Sequence, residues 1–155
     1  MKRLLLTVFT LLVAITGSRA EGGAYAPAPG SPDRQAIMDL MRLDFYRGNA
    51  AAAHRNSNKV VFKVVFLRVH GDWACTCVER INADGKPITE PAWALLRRKA
   101  NQWTDTNYFD ALRPFSSEEA AQDALDMSPE TIRRVRKRFP NAPADIFPKP
   151  NEWHY

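Results

Sequence analysis

The sequence predicts an α+β domain, in which an antiparallel sheet of about four strands packs against an N-terminal helix and further helices follow the sheet. Three observations predict it. A stretch of helical period opens the globular part, two turn-linked pairs of β-rich segments come next, and two helix-start signals lie beyond them. Helices and strands are segregated along the chain, so one sheet face must bury against a helix.

Ser31-Pro32-Asp33 opens the first helix. Ser31 is the N-cap, Pro32 takes the first helical position, where its missing N–H costs nothing, and Asp33 is favourable against the positive end of the helix dipole. Ile37, Leu40 and Met41, continuing toward Asp44 and Phe45, recur at spacings of three and four and give one apolar face that ends near Gly48. Residues 49–58 (NAAAAHRNSN) read as a connection.

Residues 59–70 (KVVFKVVFLRVH) are dense in β-branched and aromatic side chains, Gly71-Asp72 is turn chemistry, and residues 73–81 (WACTCVERI) return as a second strand, which makes a β-hairpin. Asn82 to Pro87 supply the next turn. Residues 92–99 (AWALLRRK) have two readings: propensity favours helix, whereas Ala100-Asn101 followed by the alternating residues 103–109 favours a second hairpin. Ser116 and Glu119 match a capping box before a helix of about 117–126. Ser128-Pro129-Glu130 starts another helix, with an apolar stripe of Ile132, Val135 and Phe139, and Pro140 stops it.

The two ends read differently. Lys2 and Arg3, an apolar run from Leu4 to Ile15, and the small residues Ser18 and Ala20 have the order of a cleavable export signal, cut after Ala20. The run is too short for a membrane span, and no cysteine follows it as a lipid acceptor. The expected organisation is a signal peptide at 1–20, a flexible Gly/Ala/Pro leader at 21–30, one α+β domain at 31–140, and a proline-rich tail at 141–155 that packs through Ile146, Phe147 and Trp153. The expected location is the periplasm or the exterior, with no membrane anchor.

Charge narrows the partners. The chain holds 22 Lys+Arg against 17 Asp+Glu, but residues 1–20 carry Lys2, Arg3 and Arg19 and no acid, so the remainder stands at +2. That is too near neutrality to argue for nucleic acid, which calls for a concentrated basic stripe.

The helix opening Gly30 to Asp39, the strand and turn from Phe66 to Ala74 with its Gly71-Asp72-Trp73-Ala74 hairpin, and Trp93 with Leu95-Leu96-Arg97-Arg98 before Trp103 resemble small exported bacterial proteins of unknown function with a cystatin-like or nuclear-transport-factor-2-like α+β shape. The resemblance covers most of residues 30–110. It implies a fold and a compartment, and it carries no activity. Cys75-Thr76-Cys77 and the proline-rich tail depart from its pattern.

Few residues carry chemistry. Cys75 and Cys77 share one strand face with Trp73, and i,i+2 spacing puts their Cα atoms roughly 6.5–7 Å apart, at the edge of disulfide geometry. Their bland reading is a pair of buried thiols; the alternatives are a strained redox bond or a metal pair. His54, His70 and His154 do not complete a zinc signature, so no metal site and no cofactor is expected. His70, across the turn from Cys75, is the one suggestive base for a nucleophilic thiol. The run Arg133, Arg134, Arg136, Lys137 and Arg138 is the strongest charge feature. It reads as the solvated face of a helix or as a docking patch for an acidic partner or anionic lipid, extended by Arg97, Arg98 and Lys99. The expected function is a non-catalytic binding, inhibitory or immunity-like module with a protein partner in the periplasm. The alternatives are a small pocket enzyme using Asp72, Asp105, Tyr108 or a cysteine, and a thiol redox or metal-binding protein.

Overall fold

The computed structural model describes residues 22–48 and 61–152. The export signal, the connection at 49–58, His54, Trp153 and His154 lie outside the described residues. Helix α1 (Pro32–Gly48) is followed by strands β1 (Val61–His70), β2 (Trp73–Ile81), β3 (Ala92–Lys99) and β4 (Gln102–Asp105), then by helices α2 (Tyr108–Ala111), α3 (Glu118–Leu125) and α4 (Pro129–Arg138), and by 3-10 turns at Ala144–Ile146 and Pro150–Glu152. The strands form one antiparallel meander in the order β1-β2-β3-β4. This is the α+β class expected from the sequence.

Both sheet faces are covered, where the sequence argument required only one. On one side Ile37, Met38 and Met41 of α1 pack on Leu67, Val69 and Leu96. On the other, Trp73, Cys75 and Leu95 meet Met127, Val135 and Ile146 from the C-terminal segments. β2 lies between the two layers, and each of its residues from Trp73 to Val78 is buried.

A bulge lets β1 serve both layers. Val64 pairs with Val78 but Phe66 pairs with Cys77, which leaves Val65 as an extra residue. Phe62 and Val64 therefore face α1 together with Leu67 and Val69, whereas Phe66 packs in the opposite layer. Without the extra residue, strict alternation would turn one of these groups to the wrong side.

Residues 92–99 are a strand paired with β2 and β4, and Ala94, Leu95 and Leu96 are buried in succession because both faces of the strand are covered. Ala100 and Asn101 have φ of 46° and 64°, the two left-handed positions of a tight hairpin turn. β4 is shorter than expected. Asn107 adopts φ 50°, its N–H donates to Asp105 Oδ1 at 2.9 Å, and the chain turns into α2, so residues 106–109 do not continue the strand.

The helix caps follow the sequence with one shift. The N–H of Arg34 donates to Ser31 Oγ at 3.4 Å, and that of Thr131 to Ser128 Oγ at 3.2 Å. At α3 the acceptor is Ser117, which takes the Ala120 N–H at 3.1 Å. The Ser116/Glu119 box does not form, because a helix starting one residue later places Ala120 rather than Glu119 at the third position.

Both flanks are tied in. In the segment expected as a flexible leader, Tyr25 exchanges two 2.9 Å backbone hydrogen bonds with Val69, the Ala24 N–H donates to Asp145 Oδ2 at 2.9 Å, and Pro27 is buried. Hydrogen bonding to the β1 edge, rather than apolar bulk, orders it. The proline-rich tail contributes Ala142, Ile146 and Phe147 to the core.

Asp33 links four parts of the chain. Its carboxylate accepts from Tyr25 Oη at 2.7 Å, Arg98 Nη2 at 3.0 Å and Trp103 Nε1 at 3.4 Å, while Arg98 lies 4.4 Å from the centroid of the Trp103 ring. Burial alone would raise the Asp33 pKa, but these donors outweigh it and hold the carboxyl below the usual range.

Two expectations follow. Ile37→Ala and Ile146→Ala, on opposite faces and near opposite ends of the described chain, should each cost about 2–5 kcal/mol in urea unfolding, whereas a tail that is a mere appendage would leave the midpoint of Ile146→Ala unmoved. Asp33→Ala should cost about 1–3 kcal/mol at neutral pH. Because the folded pKa is lowered, this stabilisation is present above the unfolded-state value and is lost as pH falls through the folded one, so parent and variant should converge in acid.

Candidate functional site

α4 presents the most concentrated charge. Ser128 caps it, Pro129 occupies its first turn, and Thr131 and Val135 are buried beneath it, with the Thr131 hydroxyl donating to Asp123 O at 2.8 Å. The inward face is thus fixed to the α3 end and the core, and the cations are left on the remaining faces.

The five cations separate into three environments. Arg133 pairs with Glu130 one turn earlier. Arg134 is half-buried: its Nη2 donates to Leu112 O at 2.8 Å, and its guanidinium lies 5.4 Å from the Phe115 ring centroid. Arg136, Lys137 and Arg138 are exposed in the last turn, and among the described residues no carboxylate pairs with them. Cations there offset the negative end of the helix dipole, which is a structural use. Arg134, Lys137 and Arg138 also border a groove of about 440 Å³ with Ala111 and Leu112. Three cations around an apolar floor can hold a carboxylate or another oxyanion.

The neighbouring basic residues divide. Arg97 lies 5.2 Å from the Trp73 ring centroid, and Trp73 meets Phe139 edge to face at 6.2 Å, so Arg97 is linked to the end of α4. Arg98 is turned to the opposite sheet face by Asp33. The extension proposed from sequence therefore runs through Arg97 and does not include Arg98.

Cys75 and Cys77 are buried and not joined in a disulfide. Burial, and then the adjacent Cys77, push the Cys75 thiol well above its ordinary pKa, which leaves little thiolate for nucleophilic or redox work. His70 and Cys75, the one suggestive base–thiol pair in the sequence, are not cross-strand neighbours. With a two-residue turn at Gly71-Asp72, His70 falls opposite Trp73, and Cys75 falls opposite Arg68. His70 instead bonds through Nδ1 to the Asp145 carboxylate at 2.8 Å, and Arg68 pairs with Glu152 and donates to Phe147 O at 3.3 Å. Hydrogen bonds from His70 and the Ala24 N–H outweigh desolvation and lower the Asp145 pKa. The partners of His70 and Arg68 are more than seventy residues away, so no local pattern announces them.

Asp105 and Tyr108 meet at one cavity, which Asp72, in the β1–β2 turn, does not line. The Tyr108 hydroxyl donates to Ala124 O at 3.1 Å, and burial raises its pKa. Among the described residues, no three His, Cys, Asp or Glu side chains converge as metal ligands, and no helix is long and apolar enough to cross a membrane.

The buried thiols should resist an aromatic disulfide reagent at pH 8 in native buffer and react fully in denaturant; fast native labelling of either would contradict their burial. Comparison with protein-family models, with curated proteins and with solved structures gives no match, so function is argued from the chain's own residues.

Proposed function

We propose that this protein is an exported, periplasmic binding module of inhibitory or immunity-like kind, which docks an acidic partner protein through the outer face of α4. The observation that carries the reading is the exposed trio Arg136, Lys137 and Arg138, without a carboxylate among the described residues, beside the groove bordered by Arg134. Isolated surface cations are ordinary, but three uncompensated ones on a helix anchored by Val135 and Thr131 form a fixed positive patch. Such a patch steers an acidic surface and sets its orientation. The order of one helix, a four-stranded meander and C-terminal helices supports the cystatin-like or nuclear-transport-factor-2-like shape that the sequence resemblance implies. The order of residues 1–20 supports export with cleavage after Ala20.

The test compares the parent with Arg136→Glu/Lys137→Glu/Arg138→Glu, purified from the periplasm and shown by mass to begin at Glu21. A six-residue polyglutamate peptide serves as the defined probe, and periplasmic extract as the source of natural partner. The parent should bind both in a salt-sensitive way, and the triple variant should bind about tenfold more weakly or worse, with an unchanged circular dichroism spectrum. Equal binding by parent and variant, or no salt dependence, would overturn the proposal.

A further inference from the structure

Arg134, Lys137 and Arg138 are spaced i, i+3 and i+4 along α4, so they share one face of the helix. That face borders the groove of about 440 Å³ whose floor is Ala111 and Leu112, at the end of α2. Arg136, two residues from Arg134, falls on a different face and does not line the groove. Among the described residues around it there is no Asp or Glu.

The wall nearest the floor is fixed. Arg134 Nη2 donates to Leu112 O at 2.8 Å, its guanidinium lies 5.4 Å from the Phe115 ring centroid, and Val135 beside it is fully buried. A guanidinium carries five N–H donors, and Leu112 O takes one of them. Lys137 and Arg138 are exposed, and side chains of this kind lay their methylene stems along apolar surface while the charged ends stay in water. The groove is therefore apolar at its base and cationic at its rim.

This two-part character selects the occupant. A lone carboxylate would gain nothing from the floor, and a purely apolar segment would leave the rim charges unanswered. The volume lies within the range of sites that enclose apolar groups and is more than a carboxylate fills. We propose that the groove anchors one large apolar side chain from an acidic segment of the partner, with carboxylates on either side of it meeting Lys137 and Arg138. Resting on the reading of α4 as the docking surface, this anchor adds a register: charge draws an acidic partner in, and the buried side chain decides which stretch of it stays.

The experiment titrates two capped peptides of equal charge, Ac-EELEE-NH2 and Ac-EEGEE-NH2, against the protein and follows the backbone amides of Ala111 and Leu112 in nitrogen-15 correlation spectra. The leucine peptide should bind about tenfold more tightly than the glycine peptide and shift both amides. Ala111→Phe, which fills the groove and keeps all three cations, should bring the ratio of the two affinities close to one. Arg136→Glu/Lys137→Glu/Arg138→Glu should weaken both peptides. Should Ala111→Phe disturb folding, the comparison of the two peptides on the parent decides alone. Equal affinities on the parent, or a leucine advantage that survives in a folded Ala111→Phe variant, would overturn the anchor, and with both peptides still weakened by the triple variant the docking reading would stand without it. Failure of the triple variant to weaken either peptide would overturn the docking reading as well. Tighter binding to phosphatidylglycerol vesicles than to the leucine peptide, lost in Ala111→Phe, would overturn the peptide assignment in favour of a lipid.

Discussion

From Trp73 to Val78, β2 is buried on both faces, and a strand in that position demands a cover on each side. α1 supplies one cover. The other is assembled from three short helices and the 144–147 turn, none of which is long enough to form the layer alone. The bulge at Val65 follows from the same demand, because β1 neighbours β2 and must contribute to both covers. Phe62, Val64, Leu67 and Val69 serve the α1 layer, and Phe66 serves the other, only if the alternation shifts by one residue midway.

Polar ties then fix the edges that apolar packing leaves open. Asp33 gathers Tyr25, Arg98 and Trp103, and so joins the leader, the first turn of α1 and the β3–β4 hairpin. At the same end of β1, His70 with Asp145 and Arg68 with Glu152 fasten the tail to the sheet. Asp145 also receives the Ala24 N–H, so leader and tail meet at one carboxylate. The exposed members of this set contribute less per contact than the partly buried Asp33 cluster, because solvent screens them.

Local chemistry made much of this readable. Ser31-Pro32 and Ser128-Pro129 marked helix starts because a cap needs only neighbouring residues. Gly71-Asp72 and Ala100-Asn101 marked hairpins because turn geometry is local as well. What escaped was non-local. The KVVFKVVFLRVH run gives no sign of which residue is the bulge, since every candidate is β-branched or aromatic. In the tail, packing through Ile146 and Phe147 was legible from their bulk, but Pro143, Pro148 and Pro150 gave no sign of the 3-10 turn that carries them to the core. The second cover was hidden for a similar reason: α2 is four residues long and shows no helical period. For the sites, the basic run was visible as composition, whereas the half-burial of Arg134 depended on Leu112 and Phe115, twenty-two and nineteen residues earlier.

The second cover also explains why charge is separated on this side of the molecule. α2 is a single turn between two differently charged surroundings: acids from the β2–β3 connection, β4, α2 and the α3 end lie around Trp93, and cations from α4 lie around Leu112. Arg134 bridges back to Leu112 O and Phe115 and so attaches α4 to the segment that follows α2. Because Tyr108 and Leu112 are both buried in the same cluster, α2 cannot shift to let one set of charges neutralise the other without exposing core. The packing that covers β2 therefore holds the cations of α4 and the acids around Trp93 apart on one layer.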